Sequence, residues 1–126
     1  MRNNIKKKLL LLIIPFILAF SSDNDIWSEG HHKKLGRIDF MGIIYDFNEK
    51  EIGRIRNGII YNNSYGGGNS IGRIEENNIF NNAYGGRVVG RWEKGKVYNR
   101  GNYGGQIVGL AKNPKASAYF LLMGKL

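Results

Sequence analysis

Three consecutive stretches of the chain are near copies of one another: IGRIRNGIIYNNSYGGGNS (52–70), IGRIEENNIFNNAYGGRV (71–88) and VGRWEKGKVYNRGNYGGQI (89–107). This repetition constrains the fold more than any single residue. A copy of fewer than 20 residues cannot bury a core alone and has to pack on its neighbours. The period extends in both directions. Units open with LGRI at Leu35, IGRI at Ile52, IGRI at Ile71, VGRW at Val89 and VGLA at Val108, at spacings of 17, 19, 18 and 19 residues. Five units, 35–51, 52–70, 71–88, 89–107 and 108–126, fill the chain from Leu35 to Leu126.

Each of the first four units holds an aliphatic–aromatic pair: Ile44-Tyr45, Ile60-Tyr61, Ile79-Phe80 and Val97-Tyr98. The aromatic lies eight residues after the unit's glycine, or nine in the first unit. Between the landmarks sit Met41-Gly42, Asn57-Gly58, Glu76-Asn77 and Lys94-Gly95. Asn-Gly marks a hairpin, because a type I′ turn needs positive φ at both central residues. β-branched and aromatic enrichment supports strands on either side. A second turn, Tyr65-Gly66-Gly67, Tyr84-Gly85-Gly86 and Tyr103-Gly104-Gly105, recurs every 19 residues and joins one hairpin to the next. No helical periodicity is visible after the N-terminal apolar run. The fold class is therefore all-β: five pseudo-symmetric hairpin repeats of about 18 residues, closed into a small disc or flower so that no strand edge is left open.

The N-terminus carries a different message. Arg2, Lys6, Lys7 and Lys8 precede an apolar run of 12 residues, Leu9 to Phe20. That run is too short to span a bilayer, which takes about 20 residues. With Ala19 and Ser21 placed for cleavage, residues 1–21 read as a signal peptide, residues 22–34 as a flexible lead-in and residues 35–126 as the repeat domain. The expected location is outside the cytoplasm: periplasm, cell surface or secreted. The net charge of +9 then overstates the exported part, in which 15 Lys and Arg face 10 Asp and Glu, a net of +5. Such a balance is no nucleic-acid footprint. The chain has no cysteine, so no disulfide supports the fold and no lipid can be carried on a processed cysteine.

The order and number of these motifs, from Leu35 to Leu126, resemble the small exported bacterial chains called five-fold β-flower proteins. The ending VGLAKNPKASAYFLLMGKL, which breaks the pattern and closes on Tyr119-Phe120-Leu121-Leu122-Met123, is part of the resemblance. It implies a five-petalled all-β disc and no activity. The Tyr-Gly-Gly turns are a departure from the family's usual pattern.

Candidate site residues follow from the symmetry. Arg37, Arg54, Arg73 and Arg91 each follow a unit glycine, with Leu110 in the fifth place. They form either a ring of cations for an anionic ligand or a solvated rim paired with Asp39, Glu49, Glu51, Glu75, Glu76 and Glu93. Simple alternation puts each Arg on the face of the aliphatic residue two before it; a bulge at the glycine would separate them. Tyr65, Tyr84 and Tyr103, flanked by Asn, either stack on sugar rings or fold back on the next hairpin. His31-His32 lacks a third ligand for a metal, and Glu75-Glu76 point to opposite faces and make no acid–base pair. Ser64, Ser70 and Ser117 have no activating context. No catalytic residue, metal or cofactor is expected. The YFLLM run is expected to supply the closing strand, with a membrane-insertion or assembly patch as the alternative. Two functions remain: a structural or interaction protein of the bacterial envelope that binds another protein or itself, and a cell-surface-glycan or cell-wall-binding module using the Tyr-Gly-Gly edge.

Overall fold

The computed structural model describes residues 24–31, 33–64 and 68–126, with His31 by its backbone only. Residues 1–21, read from the sequence as a signal peptide, and also His32 and Tyr65 lie outside the described residues. Ten short strands close into one antiparallel barrel. They are β1 (Asp25–Ser28), β2 (Lys34–Ile38), β3 (Ile43–Asp46), β4 (Glu51–Arg56), β5 (Ile59–Tyr61), β6 (Ser70–Glu75), β7 (Asn78–Phe80), β8 (Val88–Glu93), β9 (Lys96–Tyr98) and β10 (Ile107–Ala111). Hairpins β2–β3, β4–β5, β6–β7 and β8–β9 are the first four units. The two-residue turns have the positive φ that a type I′ turn needs at both central residues, at Asn57 and Gly58, Glu76 and Asn77, and Lys94 and Gly95. The first hairpin uses a longer turn, Asp39 to Ile43, in which Gly42 alone is left-handed.

The fifth hairpin departs from expectation. Its strands are β10 and β1, drawn from opposite ends of the repeat region and paired at Ile26↔Ala111, Trp27↔Leu110 and Ser28↔Gly109. The stretch expected as a flexible lead-in thus contains a barrel strand, and the domain begins before Leu35. Ile26-Trp27 supplies the aliphatic–aromatic pair missing from the last unit. Lys34 Nζ lies 3.2 Å from the buried Asp25 carboxylate and fastens β1 to β2.

The YFLLM run also departs from expectation. It belongs to a helix, α1 (Pro114–Leu122), with no strand character. Asn113 caps it, its Oδ1 accepting from Lys115 N at 2.9 Å, and Pro114 occupies the first turn. At the other end Gly124 turns left-handed, with Gly124 N donating to Leu121 O and Lys125 N to Phe120 O. Ala116, Ser117, Ala118, Tyr119 and Phe120 are all buried. From Ala116 to Phe120 the helix is buried on every side because strands surround it, which is why no amphipathic period shows in the sequence.

The unit glycines explain how a helix fits among ten strands. A Cβ on Gly36 would meet Phe120, on Gly53 Tyr119, on Gly72 Leu122, on Gly90 Leu121 and on Gly109 Leu126. One glycine per unit faces inward and leaves room for α1 and the tail after it. The pairing slips by one residue beside every such glycine, at Leu35, Ile52, Ile71, Val89 and Val108. This bulge lets Leu35, Ile52, Ile71 and Val89 pack against the core with the adjoining glycine, while the Arg that follows faces out. Opposite the glycines stand Ile26, Ile44, Ile60, Ile79 and Val97, each with no solvent exposure. No described helix is long and apolar enough to cross a membrane.

Candidate functional site

The barrel has two unlike ends. The hairpin turns crowd one end, where each is tied to the next unit by a backbone bond: Ile55 N to Gly42 O, Ile74 N to Gly58 O, Trp92 N to Asn77 O and Ala111 N to Gly95 O, at 2.8–3.0 Å. The other end carries the loops between hairpins. Each opens at the Asn or Asp after the aliphatic–aromatic pair. Asn62 Oδ1 accepts from Asn69 N, Asn81 Oδ1 from Arg87 N and Asn99 Oδ1 from Gln106 N; Asp46 Oδ1 accepts from both Asn48 N and Lys50 N. A short side-chain acceptor at a loop mouth satisfies an amide that the sheet no longer pairs. These residues were legible in the sequence as an Asn or Asp after the aromatic of each of the four aliphatic–aromatic pairs, but they are absent from the candidate site residues named above.

The four arginines lie outside the barrel, and each stacks on the aromatic of its own hairpin. Guanidinium carbons stand 4.1 Å from the ring centre of Tyr45 (Arg37), 4.4 Å from Tyr61 (Arg54), 3.8 Å from Phe80 (Arg73) and 4.0 Å from Tyr98 (Arg91). In the fifth unit Leu110 faces Trp27. The remaining donors of three arginines are turned onto the loops. Arg73 Nη1 donates to the carbonyls of Asn82 (3.1 Å) and Gly85, and Arg91 Nη1 to those of Arg100 (2.9 Å) and Gly104 (2.8 Å). Arg37 holds its shorter loop through Glu49, with Nε and Nη2 both on the carboxylate. That contact holds the Glu49 carboxyl below its ordinary range and raises the Arg37 guanidinium. The Nε atoms of Arg73 and Arg91 turn to Glu75 and Glu93. Arg54 has Arg56 at that position, and its Nε is buried without a partner.

Arg37, Arg73 and Arg91 therefore act as clamps that shape their loops. What the loops present is aromatic: Phe47, 62% exposed, on the short first loop, and tyrosine on the longer ones. Tyr84 and Tyr103 are each 83% exposed at the loop tips, followed by the left-handed pairs Gly85-Gly86 and Gly104-Gly105. Neither ring folds back on a neighbouring hairpin. Tyr84 stands over a shallow groove of about 460 Å³ that runs down the barrel wall to the turn of the second hairpin. Asn57, Ile59, Arg73, Glu75 and Ala83 also line it. Among the described residues no three His, Cys, Asp or Glu side chains cluster to hold a metal.

The class this geometry defines is a closed ten-stranded antiparallel barrel, made of five hairpins around a buried C-terminal helix, with arginine-clamped loops at one end. The chain matches no family model, no curated protein and no solved structure.

Proposed function

We propose that the protein is an exported binding scaffold of the bacterial envelope, built on the five-fold β-flower plan, that engages a partner through its loop end. One observation carries the reading: loops held by half-buried, ring-stacked arginines expose Tyr84 and Tyr103 to water. A loop organised by charge-assisted bonds loses little further freedom on binding, so its exposed aromatics are ready-made anchors. Export rests on the basic residues and apolar run that precede Asn24.

The groove beside Tyr84 favours a saccharide over a protein as the partner. It has the size of a small-ligand site. An aromatic face stands beside amide, carboxylate and guanidinium groups that match ring hydroxyls. Three Tyr-Gly-Gly loops at 19-residue spacing would give a glycan chain several weak contacts at once. The test is a thermal-shift screen against peptidoglycan fragments and common saccharides, on the wild type and on Tyr65→Ala/Tyr84→Ala/Tyr103→Ala. A dose-dependent rise in Tm in the wild type, absent from a variant that melts at the same temperature unliganded, supports the saccharide reading. A response equal in both chains refutes it. A flat screen leaves the scaffold reading with a protein partner.

A further inference from the structure

The turn end carries a second surface, unrelated to the tyrosine loops. Three hairpins have polar two-residue turns, but the first is lengthened and tipped with Phe40 and Met41, which are 96% and 71% exposed. These are not loose side chains on a mobile loop. Asp39 Oδ1 accepts from Met41 N and Ile43 N at 2.9 Å each, and Asp39 Oδ2 accepts from Tyr45 Oη at 3.0 Å. The one carboxylate of the turn is thus spent on holding it, and its apolar tip is presented to water. Lys115 lines the same recess as Phe40 and Met41, and exposed Arg56 follows Ile55 of that recess. The acidic turn residues Glu75, Glu76 and Glu93 belong to the third and fourth hairpins, away from this sector of the ring.

Asn24 lines the recess too. Exposed Phe and Met beside Lys and Arg match the apolar and anionic layers of a lipid interface. We propose that the rim formed by Phe40, Met41, Arg56 and Lys115 docks on an anionic membrane surface, which leaves the tyrosine loops pointing away from it. This inference does not depend on what the loops bind.

The chain has no cysteine, so a single introduced one can carry an environment-sensitive dye. The exported form, residues 22–126, labelled at Met41→Cys or at Asn102→Cys on the loop end, is mixed with phosphatidylcholine vesicles with and without the anionic lipid phosphatidylglycerol. The expected result is a blue shift at position 41 on the anionic vesicles and none at position 102. Arg56→Glu/Lys115→Glu, both at exposed positions and checked for fold by circular dichroism, is expected to weaken that signal at least about twenty-fold, since each cation near an anionic surface contributes roughly fivefold. Equal shifts at both ends overturn the proposal. A shift at position 41 that is the same without phosphatidylglycerol, or unmoved by the charge reversals, overturns it as well. So does a dye that stays in water on both vesicles, in which case a protein is the occupant of the rim.

Discussion

Adding one methyl group to Gly36 tests the relation between the unit glycines and the helix. The new Cβ would stand 2.6 Å from Phe120 Cζ and closer still to the carbonyl oxygen of Tyr45. Phe120 is 1% exposed and the carbonyl belongs to the neighbouring strand, so neither can move aside. Overpacking of this kind costs about 1–3 kcal/mol, and two immovable neighbours put Gly36→Ala near 3. Replacing a strand glycine by alanine returns about 0.5–1 kcal/mol of chain entropy, which leaves a net loss of about 2 kcal/mol. For a domain of this size that lowers Tm by roughly 8–16 °C. Gly109 is the internal control. Its Cβ would meet the C-terminal Leu126 at 2.9 Å and the Trp27 carbonyl at 3.1 Å. The atom met there is the far end of a half-buried, flexible leucine side chain, which can yield, so clash and entropy nearly cancel and Gly109→Ala stays within about 0.5 kcal/mol of the parent. Urea melts followed by the fluorescence of Trp27 and Trp92 measure both. Adding Phe120→Leu to Gly36→Ala is expected to recover about 0.5–1 kcal/mol of coupling. Equal effects of the two glycine substitutions, or no coupling to Phe120, would refute the view that these glycines exist to admit the helix.

Arg91→Met removes two charge-assisted bonds at the loop of residues 99–106; a loss of about 1–3 kcal/mol is expected, with new proteolytic cleavage confined to that loop. Arg56→Glu places beside Arg54 the carboxylate that Arg73 and Arg91 already have; it is expected to stabilise by about 0.2–1 kcal/mol in a salt-sensitive way, read from Tm at low and high ionic strength. Ser117, wholly buried in α1, has an Oγ with no hydrogen-bond partner, so Ser117→Ala is expected to stabilise by about 1 kcal/mol in the same melts. Glu49 is held below its ordinary pKa by Arg37, so its contribution is present above the ordinary carboxylate range and is lost as pH falls through the depressed value. An NMR titration of Glu49 is expected to move up to the ordinary range in Arg37→Met, and the stability at stake is small because the pair is largely in water.

The repeat, the hairpins and their turns were legible because local chemistry dictates them: positive φ at Asn57-Gly58 and alternation at Ile60-Tyr61 act within a few residues. Closure was harder to read because it is non-local. Ile26-Trp27 has the same composition as the other aliphatic–aromatic pairs, but it stands some eighty residues from its partner strand, at Val108 to Ala111. The helix announced itself only at its ends, in Asn113-Pro114 and Gly124. A strand reading of YFLLM was reasonable for a short apolar run, which periodicity alone cannot assign. The outward turn of the arginines was open in the sequence because it depends on a bulge that no residue type specifies. Their stacking on Tyr45, Tyr61, Phe80 and Tyr98 follows once the register is known.

The buried helix also limits how this repeat can multiply. Open solenoids gain and lose units freely, because each copy meets only its two neighbours. Here every copy also touches one shared object of fixed girth, since an α-helix with its side chains is about 10–12 Å across. A sixth hairpin would widen the ring, which grows with strand number, and open a gap around α1 costing about 24 cal/mol per Å³. A fourfold ring would have no room for Tyr119 and Phe120. The C-terminal nine-residue helix thus serves as the gauge that holds the count at five.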